Sequence, residues 1–134
     1  MLVVDASALA GWLLPDEVGV DLAALADQHE VFMAPWLLWV EIRNILIVSE
    51  RRGRIPAAVV DAALETISAF GIVLDTTPSN AAVLTLCRKH GLTAYDALYL
   101  DLALRQGAVL ATRDTALAKA ALAEGVTVEG VTVA

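Results

Sequence analysis

The amino-acid sequence predicts an α/β fold: a mostly parallel sheet of four to five strands with helices on both faces. Two observations carry this expectation. Short apolar runs alternate with longer helical segments, the order that builds parallel strands joined by crossover helices. The stretch 93–114 then holds the whole unit in one piece: a buried helix, a glycine stop, a buried strand and a carboxylate at the strand's exit. Thr93 is a good N-cap, with Asp96 three residues later as in a capping box. From Ala94 to Leu104 only Asp96 and Asp101 are charged, and a helix apolar nearly all round belongs inside a domain. Gly107 supplies the left-handed turn of a helix stop. Residues 108–111 are apolar, the pattern of a strand covered on both faces.

The other elements follow in order. Residues 2–4 form a buried strand ending at Asp5. A helix spans 6–14, capped by Asp5 or Ser7 and stopped by Pro15. A second helix spans about 18–27, and a second strand 31–34. The third helix runs from Trp36 to about Arg52 and closes at Gly53; Arg51 and Arg52 complement the dipole of its last turn. Pro56 opens a fourth helix to about Phe70, ended by Gly71, and residues 72–74 are the third strand. Thr77-Pro78 starts a helix to His90, a cap followed by proline at the first helical position. A last helix covers 115–124. Residues 126–128 and 131–133 are both short strand candidates, with their pairing open.

At 134 residues the chain is one domain with room for a proper core. Hydrophobic residues make up 58% of it, and its mean hydropathy is +0.68. No uninterrupted apolar run reaches the roughly 18 residues of a membrane span. The apolar excess therefore points to a homodimer face or a partner groove. The N-terminus has no basic segment followed by a long apolar run, so no signal peptide is expected, and the natural compartment is the cytoplasm. Cys87 is the single cysteine and reads as a small core residue. A net charge of −7 excludes a generic nucleic-acid-coating protein and suits an acidic pocket that recruits cations.

Four acids stand out: Asp5, Glu41, Asp96 and Asp114. Asp5 and Asp114 follow strands, and ligands of parallel sheets bind beyond the carboxyl ends of strands. Glu41 lies in an apolar stretch. Its helical neighbours Leu37, Leu38, Asn44 and Ile45 include no cation, so a buried Glu41 either takes up a proton or finds a cation elsewhere. Asp101 stands four residues before Arg105 and reads as half of a helical ion pair, outside any site. Converging carboxylates repel one another, and a hard divalent cation offsets that repulsion. An all-carboxylate site without His or Cys favours Mg²⁺ or Mn²⁺ over zinc, and suits phosphodiester hydrolysis.

At these residues the chain resembles the PIN-domain ribonucleases, and most closely the VapC-type toxins of toxin–antitoxin pairs. The matching pieces are Val3-Val4-Asp5-Ala6-Ser7, Glu41-Ile42-Arg43-Asn44, Leu92 to Tyr99, and Leu110-Ala111-Thr112-Arg113-Asp114, in order along essentially the whole chain. The resemblance implies a three-layer α/β/α sandwich, a homodimer, Mg²⁺- or Mn²⁺-dependent cleavage of RNA, and inhibition by a VapB-type antitoxin. It makes Asp5, Asp96 and Asp114 metal ligands, directly or through water. Glu41 then helps to hold metal or orients the attacking water, Ser7 and Thr112 bond to ligands or water, and Asn44 supports Glu41. Some family members carry a further acid after the last Asp. Here Thr115-Ala116-Leu117 follows, which leaves a second-metal shell incomplete.

Arg51, Arg52 and Arg54 form the densest basic cluster and Arg113 adjoins Asp114, so these four are the candidates for RNA phosphates. His29 and His90 receive no role. Trp36 and Trp39 are expected in the core or an interface. Two other readings compete. One is a housekeeping RNA-processing nuclease of the same family. The other is a phosphoacceptor receiver domain using Asp75 after the third strand, which lacks the paired acids and the lysine such a domain needs.

Overall fold

The computed structural model describes residues 1–17 and 19–131. In chain order the elements are β1 (Leu2–Val4), α1 (Ala6–Leu13), α2 (Leu22–Ala26), β2 (Phe32–Pro35), α3 (Leu37–Arg51), α4 (Ala57–Phe70), β3 (Val73–Asp75), α5 (Asn80–His90), α6 (Ala94–Gln106), β4 (Val109–Ala111), α7 (Thr115–Ala123) and β5 (Val128–Glu129). The strands form one sheet in the order β3-β2-β1-β4-β5, and every pairing is parallel.

Burial explains the order. Leu2, Val3 and Val4 have no solvent exposure, so β1 has apolar side chains for both faces and takes the centre. β3 keeps Val73 and Leu74 exposed and lies at an edge. Right-handed crossovers fix the helices. Connections that move from β1 towards β3 cover one face, and those that return towards β4 and β5 cover the other. The packing agrees: α1 lies on α3 and α3 on α4, while α5 lies on α6 and α6 on α7. The result is the expected α/β/α sandwich. Chain direction across the sheet reverses between β1 and β4, and that switch point is where such sheets form a crevice.

Several local expectations shift. The second helix is shorter than expected, Leu22–Ala26, because Asp21 caps it by accepting from the Ala24 amide; residue 18, the expected start, lies outside the described residues. Ser79 rather than Thr77 caps α5, and Thr77 donates instead to Asp75. β3 sits one residue later than its apolar run, because pairing of Met33 with Val73 sets its register. Of the two C-terminal candidates, β5 forms at Val128–Glu129, against Leu110 and Ala111 of β4. Val131 is not in a strand, and residues 132–134 lie outside the described residues. Trp36 and Trp39 are 48% and 52% exposed, which removes them from the core.

α6 follows its reading closely. Thr93 accepts from the Asp96 amide, Gly107 closes the helix at φ 58°, and Leu100, Leu102 and Ala103 are buried. Asp101 pairs with Arg105 at 2.8 Å, as its spacing implied. Arg105 also grips Asp75 at 2.7 Å and holds that carboxyl below its usual range. Asp75 is therefore a structural anion at the sheet edge, two strands from β1, which argues against the receiver reading. Beyond β5, Gly130 has φ 116°, and a Cβ there would collide with the Thr112 carbonyl oxygen. Only glycine lets this segment close over the residue that follows β4. Among the described residues no helix is long and apolar enough to cross a membrane.

Candidate functional site

Asp5 is the first residue after β1, and Thr112 the first after β4, so the switch point brings them together. The backbone extends the ladder there: Asp5 N–H donates to the Ala111 carbonyl at 3.1 Å, and Thr112 N–H to the Glu129 carbonyl at 3.0 Å. Asp5 caps α1, its Oδ1 accepting from the Ala8 amide at 2.8 Å and the Ser7 hydroxyl at 2.7 Å. Its Oδ2 accepts from the Thr112 hydroxyl. The same hydroxyls accept in turn, Ser7 from the Arg113 amide at 2.9 Å and Thr112 from the Asp114 amide at 3.0 Å. Ser7 and Thr112 thus lock the loop after β4 to the start of α1 and hold Asp5 in one orientation. Asp114 caps α7 through the Leu117 amide at 2.9 Å. Capping and membership of an acidic cluster coexist at Asp5 and Asp114.

The electrostatics show one shared neighbourhood. Burial pushes the Asp5 carboxyl up to about 6; three hydrogen bonds oppose the rise, and the charge of Asp114 adds to it. Burial also raises Asp96, and the charges of Asp114 and then Glu41 raise it further. The N-terminal end of α6 therefore reaches the carboxyl edge of the sheet, a placement that chain order permitted without requiring. Glu41 projects from α3, half-buried. Its partner is a phenol from another helix: the Tyr99 hydroxyl donates to Glu41 Oε1 at 2.6 Å. Tyr99 is 2% exposed; its phenol is pushed up by burial, by that bond and by the charges of Glu41, Asp5 and Asp96. It stays protonated and acts as a fixed donor.

Tyr99 is the site residue that sequence reasoning missed. The signal was present. Tyr99 lies three residues after Asp96, on the same side of α6, and a phenol on an otherwise apolar helix needs a polar partner.

The other candidates separate. Asn44 is exposed and makes no hydrogen bond to Glu41. Arg54 is engaged by Asp16 at 2.9 Å and Glu17 at 3.1 Å. Arg113 pairs with Glu17 at 2.8 Å, its side chain lying over Gly11 and Gly19. Arg51 and Arg52 are exposed, ten residues or more beyond Glu41 and so roughly 15 Å further along α3. Among the described residues none of the four site acids has an ion-pair partner. That leaves a concentration of negative charge which oxygen-seeking Mg²⁺ or Mn²⁺ would offset. Among the described residues no three His, Cys, Asp or Glu side chains stand close enough together to hold a metal ion by themselves. A cation at the site would keep part of its water shell, which is how Mg²⁺ prefers to bind.

The comparisons with known proteins agree with this fold. The PIN domain model matches residues 2–122. Ribonuclease VapC3 of Pyrobaculum aerophilum is 35% identical over 122 residues, 88% of this chain and 92% of that protein. The crystal structure of PAE2754 from Pyrobaculum aerophilum matches with a TM-score of 0.73 at 29% identity, over 95% of this chain and 82% of that one. FitAcB from Neisseria gonorrhoeae matches with a TM-score of 0.64 at 20% identity over 96% of each chain, a likeness of fold alone. The chain belongs to the PIN-domain family.

Proposed function

We propose that this chain, as one nuclease domain, is a Mg²⁺- or Mn²⁺-dependent endoribonuclease and the toxin of a toxin–antitoxin pair. What supports the reading is the electrostatic influence of Asp114 on Asp5 and Asp96, and of Glu41 on Asp96, beside the switch point, with none of the four ion-paired among the described residues. Asp5, Asp96 and Asp114 would hold the cation, directly or through water. Glu41, steadied by Tyr99, orients the attacking water, and Ser7 and Thr112 keep Asp5 aimed. A bound cation lowers the pKa of a coordinated water and stabilises the leaving oxygen. The 35% identity to a protein named a ribonuclease supports RNA as the substrate. Arg51 and Arg52 remain exposed enough to meet RNA, Asn44 borders the site, and the cytoplasm is the compartment proposed.

Incubation with a mixed RNA pool and Mg²⁺ tests this directly. The wild type is expected to cleave, excess EDTA to stop it, and Asp96→Asn to lower the rate at least about a hundredfold. Cleavage that survives both EDTA and the substitution would overturn the reading. A VapB-type antitoxin is the proposed inhibitor, placing a basic side chain among the carboxylates. Neutralisation of the chain in cells by such a partner separates a toxin from a housekeeping RNA-processing nuclease.

The chain is also proposed to form a homodimer. Trp36, Trp39, Val40 and Leu74 are exposed, and two grooves with apolar walls flank them, one along Leu38, Ile42 and Ile67 and the other along Val83, Leu84 and Leu98. An apolar face of this kind is unusual on a monomer. Sedimentation at micromolar concentration is expected to show a dimer that Trp39→Asp turns into a monomer. A wild-type monomer would refute it.

A further inference from the structure

The chain has two lysines, and both line the same cavity. Lys89, His90, Ala116 and Lys119 stand around a space of about 340 Å³ between the end of α5 and the first turns of α7. By chain position this cavity lies near two of the acids, Asp114 and Asp96. Ala116 is two residues past Asp114, and Lys119 lies about one further turn along α7. On the other wall, Gly91-Leu92-Thr93 leads from His90 straight into the helix that carries Asp96. α6 packs against both α5 and α7, which puts the helix that carries Asp96 beside both walls of the cavity.

Two residues of the cavity wall, Lys89 and His90, already share an anion of the chain's own. Glu124, the C-cap of α7, accepts from Lys89 Nζ at 2.7 Å and faces His90 Nε2 at 2.8 Å through the same oxygen. Lys89 and then His90 pull the Glu124 carboxyl below its usual range. One oxyanion shared by two basic side chains is the arrangement a phosphate oxygen would also adopt. Lys89 is 60% exposed, so its ion pair is solvated and easily exchanged. Lys119 is exposed and has no ion pair among the described residues. The four arginine candidates are placed less well: Arg54 and Arg113 are tied to Asp16 and Glu17, and Arg51 and Arg52 lie far along α3.

We propose that this cavity is a phosphate subsite for the RNA backbone, in which Lys119 and Lys89 hold a phosphate next to the scissile one. The inference rests on the nuclease reading above and says where the substrate strand leaves the acids. An acidic chain that cleaves a polyanion needs local cations at the margin of its carboxylates, since its overall field repels the substrate. Lysine suits this role, because a flexible point charge can trade one anion for another.

The test compares wild type with Lys89→Ala/Lys119→Ala, both exposed changes, using a short single-stranded RNA of about a dozen nucleotides. The double variant is expected to raise KM about tenfold with kcat unchanged, the signature of lost ground-state binding. The slope of log affinity against log salt should fall by roughly 0.7, the value for one neutralised phosphate on a single strand. The thermal shift induced by Mn²⁺ alone should be unchanged, because neither lysine belongs to the acid cluster. RNA cleavage with wild-type KM and salt slope in the variant overturns the subsite and leaves the nuclease reading standing. Failure of the wild type to bind or cleave any RNA overturns both.

Discussion

Asp5→Asn is expected to lower RNA cleavage by a factor on the order of a thousand while making the folded chain more stable at pH 7. The two effects share one cause. Asp5 is 5% exposed, and its carboxyl is raised from 3.8 to about 6. Between those values the folded chain keeps a proton that the unfolded chain has lost. The favourable contribution is therefore complete below pH 3.8 and disappears as pH rises through about 6. At pH 7 the ionised group costs about 3 kcal/mol relative to its protonated form, at 1.36 kcal/mol per unit. Asparagine removes that charge. Its carbonyl still accepts from the Ala8 amide, and asparagine is itself a good N-cap. In EDTA, wild-type stability should rise as pH falls from 7 to 5, and Asp5→Asn should lack that slope and exceed the wild type at pH 7 by about 2 kcal/mol. Denaturant unfolding across this pH range reads it. A variant less stable than wild type at pH 7 would mean that Asp5 serves the fold rather than the site.

Tyr99→Phe carries the second large effect. The ring and its packing remain, and only the donor to Glu41 Oε1 is lost. Groups that orient metal-site carboxylates typically cost roughly 10–100-fold in metal affinity or activity when removed. Cleavage is expected to fall by about that factor, and stability to change by no more than about 1 kcal/mol. In combination with Glu41→Gln the loss should not grow, because Tyr99 acts only through Glu41. Full activity in Tyr99→Phe would reduce the bond to packing. Multiplied losses in the double variant would mean that Tyr99 acts on the reaction by a second route.

The elements that the sequence made legible are those set by neighbours along the chain. Asp5 at the end of a wholly apolar strand, Thr93 and Gly107 at the ends of α6, and the Asp101–Arg105 pair all follow from local spacing, and each stands where expected. What was hidden depended on partners far along the chain. Arg54 and Arg113 look free in sequence, yet they are held by acids 37 to 96 positions away. Glu41 looks unpartnered because its donor is 58 positions away. Trp36 and Trp39 read as core or interface residues because composition cannot distinguish a buried helix face from an exposed one. Register was hidden as well: β3 and the cap of α5 each moved because pairing with β2 and the Thr77–Asp75 bond override the local pattern.

The central claim is that these carboxylates form a cation site, and Mn²⁺ titration followed by thermal unfolding tests it most directly, on wild type and Asp96→Asn. A ligand confined to the folded state stabilises it by about 2.7 kcal/mol at a hundredfold excess over its Kd. The wild type is expected to gain stability of that order in millimolar Mn²⁺, and Asp96→Asn to gain none. Equal gains in both proteins, or no gain in either, would contradict a cation site that includes Asp96.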